Sequence, residues 1–115
     1  MNARRWAIER LYKGQMTVIA DVLVKVGSVT ETVPTAVIEN EKCRLSQKTI
    51  TATGDGEYGD VFYVSKLFCA PELEIPPGSK IVITQSGVTL HFKRSGESMT
   101  YDTHQEIILA RDEKA

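Results

Sequence analysis

Cysteine is scarce in this chain. Only Cys43 and Cys69 occur, and they form no CxxC pair. A zinc site needs about four ligands at regular spacing, so two isolated thiols fall short of one. Their strand-like neighbours make them small buried apolar side chains in a reducing compartment, with a disulfide the lesser reading. A basic excess is also missing: 14 Lys and Arg stand against 15 Asp and Glu, a net charge of −1. Proteins that grip duplex nucleic acid across several phosphates usually carry such an excess, because cations displacing counterions supply their affinity. No apolar run approaches the ~20 residues that span a bilayer, and the polar opening MNARRWAIERLY lacks a signal-peptide core. The expectation is a protein made and kept in the cytosol. Also absent are a GxSxG elbow, an HExxH pair, a phosphate loop and a GxGxxG fingerprint, so neither enzymatic activity nor a cofactor or metal is expected.

What is present fits one domain over residues 1–115, too short for two cores. It divides into an N-terminal helical arm (1–14), a first group of strands (15–46), a long loop (47–60) and the remaining strands (61–111). The arm reads as a helix over 3–13, capped by Asn2 and stopped by a left-handed Gly14, with Ala3, Ala7 and Leu11 at a spacing of four. It carries Arg4, Arg5, Arg10 and Lys13 against Glu9, with Trp6 between them. These residues make either a solvated face or a docking arm anchored by Trp6, since Trp and Arg dominate many interfaces.

From Gln15 the period changes to two. Met16, Val18, Ala20, Val22, Val24 and Val26 share one side, which reads as the core face of a long strand. A second strand is expected over Thr32–Glu39, bent or at an edge because of Pro34. A turn at Asn40-Glu41 and a short strand at Cys43–Ser46 follow. QKTITATGDGEYGD, Gln47 to Asp60, has three glycines and no steady period, the signature of a functional or disordered loop. Val61–Cys69 is apolar on both faces and therefore central. PELEIPPGSK makes a rigid connection with a turn at Pro77-Gly78. Lys80–Gln85 and Val88–Lys93 flank Ser86-Gly87, a two-residue hairpin signal, and the last strand is His104–Arg111. About seven short strands with one short helix and one long irregular loop make an all-β domain, a small antiparallel β-barrel or sandwich.

The hairpin also settles how the two histidines are read. Opposite partners point to one side of an antiparallel pair, so Ile81, Ile83, Leu90 and Phe92 share the core face and His91 faces outward opposite Val82. The same parity turns Ile107 and Leu109 inward and His104, Glu106 and Ile108 outward. A general base or a metal ligand needs convergent partners in a pocket, which this arrangement does not supply. Ile19, Leu23, Val82 and Ile108 are nonetheless apolar on faces assigned outward. With His91 and His104 they form a candidate interface wall, and a wall apolar on both sides points to assembly with other subunits.

ERLYKGQMTV (Glu9–Val18), ENEKCRLSQKTI (Glu39–Ile50), VSKLFCAPELEIPPGSKIVITQSGVT (Val64–Thr89), FKRSG (Phe92–Gly96) and THQEIIL (Thr103–Leu109) occur in this order. The chain so composed resembles the small head–tail connector proteins, labelled minor capsid, head-completion or stopper proteins, of long-tailed bacteriophages and prophage-derived particles. That resemblance implies a virion protein: a small β-barrel forming a ring, usually sixfold, in the particle neck below the portal and its adaptor. The ring closes the DNA-filled head and gives the tail terminator or tail tube a surface, and genomic DNA passes through without sequence-specific binding. Assembly would take place in the host cytoplasm, with no membrane involved. In stopper members a long loop from each subunit projects into the channel. Lys48, Thr49, Ile50, Thr51, Thr53, Gly54, Asp55, Gly56, Glu57, Tyr58, Gly59 and Asp60 lie where such a loop is expected. A neutral or acidic lining suits a channel that must pass DNA without holding its phosphates, and the glycines would let the loop swing. An ordinary surface loop ordered by a neighbouring ring is the competing reading. Two alternatives remain for the whole chain: a tail-completion or tail-terminator ring protein, and a monomeric small-barrel binding module.

Overall fold

The computed structural model describes residues 3–52 and 60–112, with backbone alone at 49–52, 60–63, 96 and 97. Helix α1 (Ala3–Glu9) precedes six strands: β1 (Gly14–Val26), β2 (Val29–Ala52), β3 (Asp60–Cys69), β4 (Lys80–Gln85), β5 (Val88–Thr100) and β6 (Gln105–Arg111). All pairings are antiparallel, and the strands close into a barrel in the order β1-β2-β3-β6-β5-β4. The all-β class and the short terminal helix are as the sequence suggested.

Alternating apolar residues build the wall, because successive side chains of a strand point to opposite faces. Met16 and Val18 of β1, Cys43 and Leu45 of β2, Leu67 and Cys69 of β3, Ile81 and Ile83 of β4, Phe92 of β5 and Ile107 and Leu109 of β6 fill the interior. The connection between β3 and β4 helps to close the barrel, with Ile75 buried against this core. The buried Gln105 amide donates to the carbonyls of Ala70 at 2.8 Å and Leu73 at 2.7 Å, holding that connection down. Its last turn is where the proline and glycine placed it: Gly78 has φ +78° and the Ser79 N–H donates to the Pro76 carbonyl at 3.1 Å. The Ser86-Gly87 hairpin has φ of +54° and +78°, a type I′ turn, with Gln85 opposite Val88, Ile83 opposite Leu90 and Ile81 opposite Phe92 as parity required.

Four sequence expectations need correction. First, α1 stops at Glu9, and Gly14 does not end it in the left-handed region. Gly14 opens β1 opposite Cys43, where a β-carbon would lie 3.0 Å from Gln85 Oε1 and 3.3 Å from the Cys43 carbonyl oxygen. The proposed cap Asn2 lies outside the described residues. Second, Asn40 and Glu41 are not a turn. Thr32–Glu39 and Cys43–Ser46 are one continuous β2, and the pairing with β1 slips between Met16 and Ile19, leaving extra residues on β2. Asn40, at φ +49°, sits in this bulged stretch, because Asn tolerates the left-handed region as well in a bulge as in a turn.

Third, the core face of β1 ends at Ala20. Pairing with β4 stops at Ile19 opposite Lys80, and beyond it β1 and β2 run on alone to a turn at Gly27-Ser28, with Val26 opposite Val29. Val22, Val24 and Val26 are therefore 37%, 37% and 60% exposed on this first ribbon. Fourth, residues 47–52 and 60 of the expected loop are strand. Gln47–Ala52 continue β2 and pair with Asp60–Ser65 of β3, making a second ribbon rooted where β3 meets β6 at Ser65 opposite Leu109. Its alternating Thr49, Ile50 and Thr51 are β-branched and strand-forming despite their polar surroundings. The two ribbons explain a radius of gyration of 16.7 Å, against about 13 Å for a compact domain of this length.

Candidate functional site

The features that could engage a partner are the helical arm, the outer wall and the two ribbons. In the arm, Arg5 is committed internally. Its guanidinium forms a two-pronged pair with Glu72, one contact at 2.9 Å, and its Nε donates to Glu9 at 3.3 Å. Glu9 also meets Lys42 of β2 at 3.5 Å. These bonds fasten α1 to the barrel, and the hydrogen bond from Arg5 holds the Glu72 carboxyl below the usual carboxylate range. Trp6 is 53% exposed, and the Arg10 guanidinium lies over its ring at 4.9 Å from the centroid. The exposed end of the arm is thus Trp6 and Arg10, with Arg4 exposed beside them.

The six wall residues do not form one patch. Val82 pairs with Thr17 and with His91, so Ile19, Val82 and His91 share the outer face of β1, β4 and β5, all half-buried. Ile108 pairs with Lys66 on the outer face of β6 and β3, and His104 lies at the entrance to β6. Leu23, 73% exposed, stands off the barrel on the first ribbon. Parity assigned the faces correctly, but it carries no information on where a strand leaves the barrel.

His104 is the best organised of the wall residues. Its ring stacks on Tyr101 at 4.9 Å between centroids and tilts against Phe68 at 5.7 Å. Nδ1 lies 2.9 Å from Thr103 Oγ1 and Nε2 lies 3.0 Å from Glu106 Oε2. A neutral imidazole satisfies both if the Thr103 hydroxyl donates to Nδ1 and Nε2–H donates to the carboxylate. Glu106 also meets Lys66 at 3.2 Å, and these partners, His104 foremost, hold its carboxyl below the usual range. The Arg44 guanidinium lies 5.7 Å from the Phe68 centroid. Arg44 and Phe68 were not singled out from the sequence; the outward parity of Phe68 next to the buried Leu67 and Cys69 was the available signal. The cluster is a polar-aromatic surface in which both ring nitrogens of His104 are engaged.

Of the candidate channel residues, Lys48, Thr49, Ile50 and Thr51 lie in β2 opposite Val64, Tyr63, Phe62 and Val61, and Asp60 begins β3 opposite Ala52. Thr53, Gly54, Asp55, Gly56, Glu57, Tyr58 and Gly59 lie outside the described residues. The described residues of the candidate segment therefore belong to the second ribbon, well away along β2 from the first ribbon's turn at Gly27-Ser28.

A closed, six-stranded antiparallel barrel with a short N-terminal helix and two long ribbons defines the fold class. The sequence matches neither a protein-family model nor a curated protein. Among solved structures, the protein xkdH of the phage-like element PBSX from Bacillus subtilis is similar in fold, with a TM-score of 0.54 and 14% identity. The similarity covers 88% of this chain and 95% of that one.

Proposed function

We propose that this chain is a structural protein of a bacteriophage or phage-derived particle and acts without a catalytic step of its own. Its place is a ring in the particle neck, between the portal with its adaptor and the tail, where it closes the DNA-filled head and offers the tail a surface. The observation that carries this reading is the fold shared with xkdH of a phage-like element over nearly the full length of both chains. The sequence stretches that resemble head–tail connectors span the same barrel, from Glu9 to Leu109. Three features support it. The barrel is small and closed, its outer faces carry apolar and aromatic residues, and its second ribbon projects far enough to reach beyond the wall. In a ring, that ribbon is the part able to line the channel, and the net charge of −1 would not hold passing phosphates.

The test is to image particles from cells producing this chain and from cells lacking it. A ring of this chain at the neck, with tailless and leaking heads in its absence, is the expected result. Its co-purification with headless tails would place it instead among tail-completion or terminator proteins. Deleting Thr51–Gly59 asks about the channel separately: rings should form, while filled heads lose DNA.

A further inference from the structure

We propose that β1 pairs with β1 of a second copy of this chain, antiparallel, about a two-fold axis at Leu23. The starting point is an open sheet edge. Along Gln15–Ile19 the outer edge of β1 is covered by β4, and from Gly27 the chain turns back. Between these limits Ala20–Val26 pair with β2 on one side only. Their backbone N–H and C=O groups on the other side form a template for a further strand. A two-stranded ribbon is marginal in water, and here it leaves Val22, Leu23, Val24 and Val26 at 37%, 73%, 37% and 60% exposure.

The sequence of that edge says what covers it. Ala20-Asp21-Val22-Leu23-Val24-Lys25-Val26 is self-complementary about Leu23, with apolar residues mirroring apolar ones and Asp21 mirroring Lys25. Laid antiparallel on itself with Leu23 opposite Leu23, it sets Asp21 against Lys25 of the second copy, twice. It also sets Val22 against Val24 and Ala20 against Val26. Opposite charges directly across an antiparallel pair attract, and like charges repel. This register also uses the whole open edge of both copies, since Leu23 is its midpoint. The pairing ends where β4 begins. There a notch of about 490 Å³, lined among others by Ile19, Ala20, Pro76, Gly78 and Lys80, lies beside the strand end. It has room for the Gly27-Ser28 turn of the second copy.

The opposite edge of the ribbon is less suited. β2 carries Pro34, which has no N–H to donate. An isologous pair closes on itself and does not propagate, so it shields an aggregation-prone edge before any larger assembly forms. This inference rests on the edge alone and stands apart from the proposed place in a particle.

Sedimentation of the full chain tests it. The wild type should be a concentration-dependent dimer. Asp21→Lys alone sets Lys against Lys25, and Lys25→Asp alone sets Asp against Asp21. Each should weaken dimerisation by roughly tenfold or more. The double exchange, Asp21→Lys with Lys25→Asp, restores both pairs and should return the dissociation constant to near the wild-type value. All four side chains are solvent-facing, so the thermal midpoint of the monomer should stay constant across the set. A wild type that remains monomeric at millimolar concentration overturns the proposal, as does growth into larger species. Single exchanges without effect, or a double exchange no better than the singles, overturn it too.

Discussion

Gln85 closes the barrel on Leu45 with its side chain. Its Oε1 accepts from the Leu45 N–H at 2.9 Å, and its Nε2 donates to the Leu45 carbonyl at 3.1 Å. A carboxamide thus supplies the two bonds a neighbouring strand would make, at the end of the barrel where β1 has given out. Gly14, the first residue of β1, leaves the space that this side chain crosses.

Two substitutions should therefore report on each other. Gln85→Ala leaves the Leu45 backbone without those bonds and should cost about 1–3 kcal/mol. Gly14→Ala puts a methyl 3.0 Å from Gln85 Oε1 and 3.3 Å from the Cys43 carbonyl oxygen. The carboxamide can swing away only by giving up Leu45, so a loss of about 1 kcal/mol or more is expected. The double variant should lose less than the sum, by about 0.5 kcal/mol or more, in urea unfolding. Strict additivity would mean that the two positions act separately.

The end of the core along β1 can be read by a pair of truncations on the same face. Met16 is 1% exposed and Val24 37%. Met16→Ala should cost about 2–5 kcal/mol. Val24→Ala should change monomer stability by less than about 0.5 kcal/mol, although both residues belong to one alternating run. Denaturant midpoints at low protein concentration decide this.

Both thiols should be inert in the native protein. Cys43 and Cys69 are fully buried and unbonded, and burial pushes each pKa up to about 12. The thiolate is the reactive form. Labelling with a thiol reagent near neutral pH should proceed only as fast as the barrel opens, and should become rapid for both residues in denaturant. Fast labelling of either one under native conditions would contradict its place in the wall.

Acid should loosen the His104 cluster through Glu106. Hydrogen bonds from His104 and then Lys66 hold this carboxyl below its ordinary value of 4.5. A group whose folded pKa is depressed contributes stability above its unfolded pKa, and loses it as pH falls through the folded value. Glu106→Gln should therefore destabilise the protein at neutral pH. The gap to the wild type should narrow below about pH 4.5. Chemical unfolding along a pH series measures both, and a gap that does not change with pH would remove Glu106 as its source.

Much of the barrel could be read from residue order because the relevant signals are local. Ser86-Gly87 fixes a turn and with it the parity of β4 and β5, and the alternation in Gln105–Arg111 gives the inward pair Ile107 and Leu109. The flanks of Cys43 and Cys69 indicated their burial. What escaped was set by partners distant in sequence. Val22 and Val24 alternate as Val18 and Ala20 do, and only the end of β4 at Lys80 decides which of them lie inside. Asn40 carries the same conformational signal for a bulge as for a turn. The bond from Gln85 to Leu45 joins residues 40 apart and leaves no mark in either neighbourhood. Among the surface residues, parity located faces but not neighbours, so Ile19 and Ile108 looked like one wall while lying on different sides of the barrel.

β2 is a single run of 24 residues. It carries the first ribbon at one end, the second at the other, and Cys43 and Leu45 of the core between them. Moving either ribbon lengthwise by one residue would turn Cys43 and Leu45 out to water and their outward neighbours in. The two protrusions are therefore phased to each other by the oil-filled middle of one strand, and neither can creep while the barrel stays folded. Anything bound to one of them would be held at a set spacing and rotation from the other, as on a ruler whose divisions cannot slip.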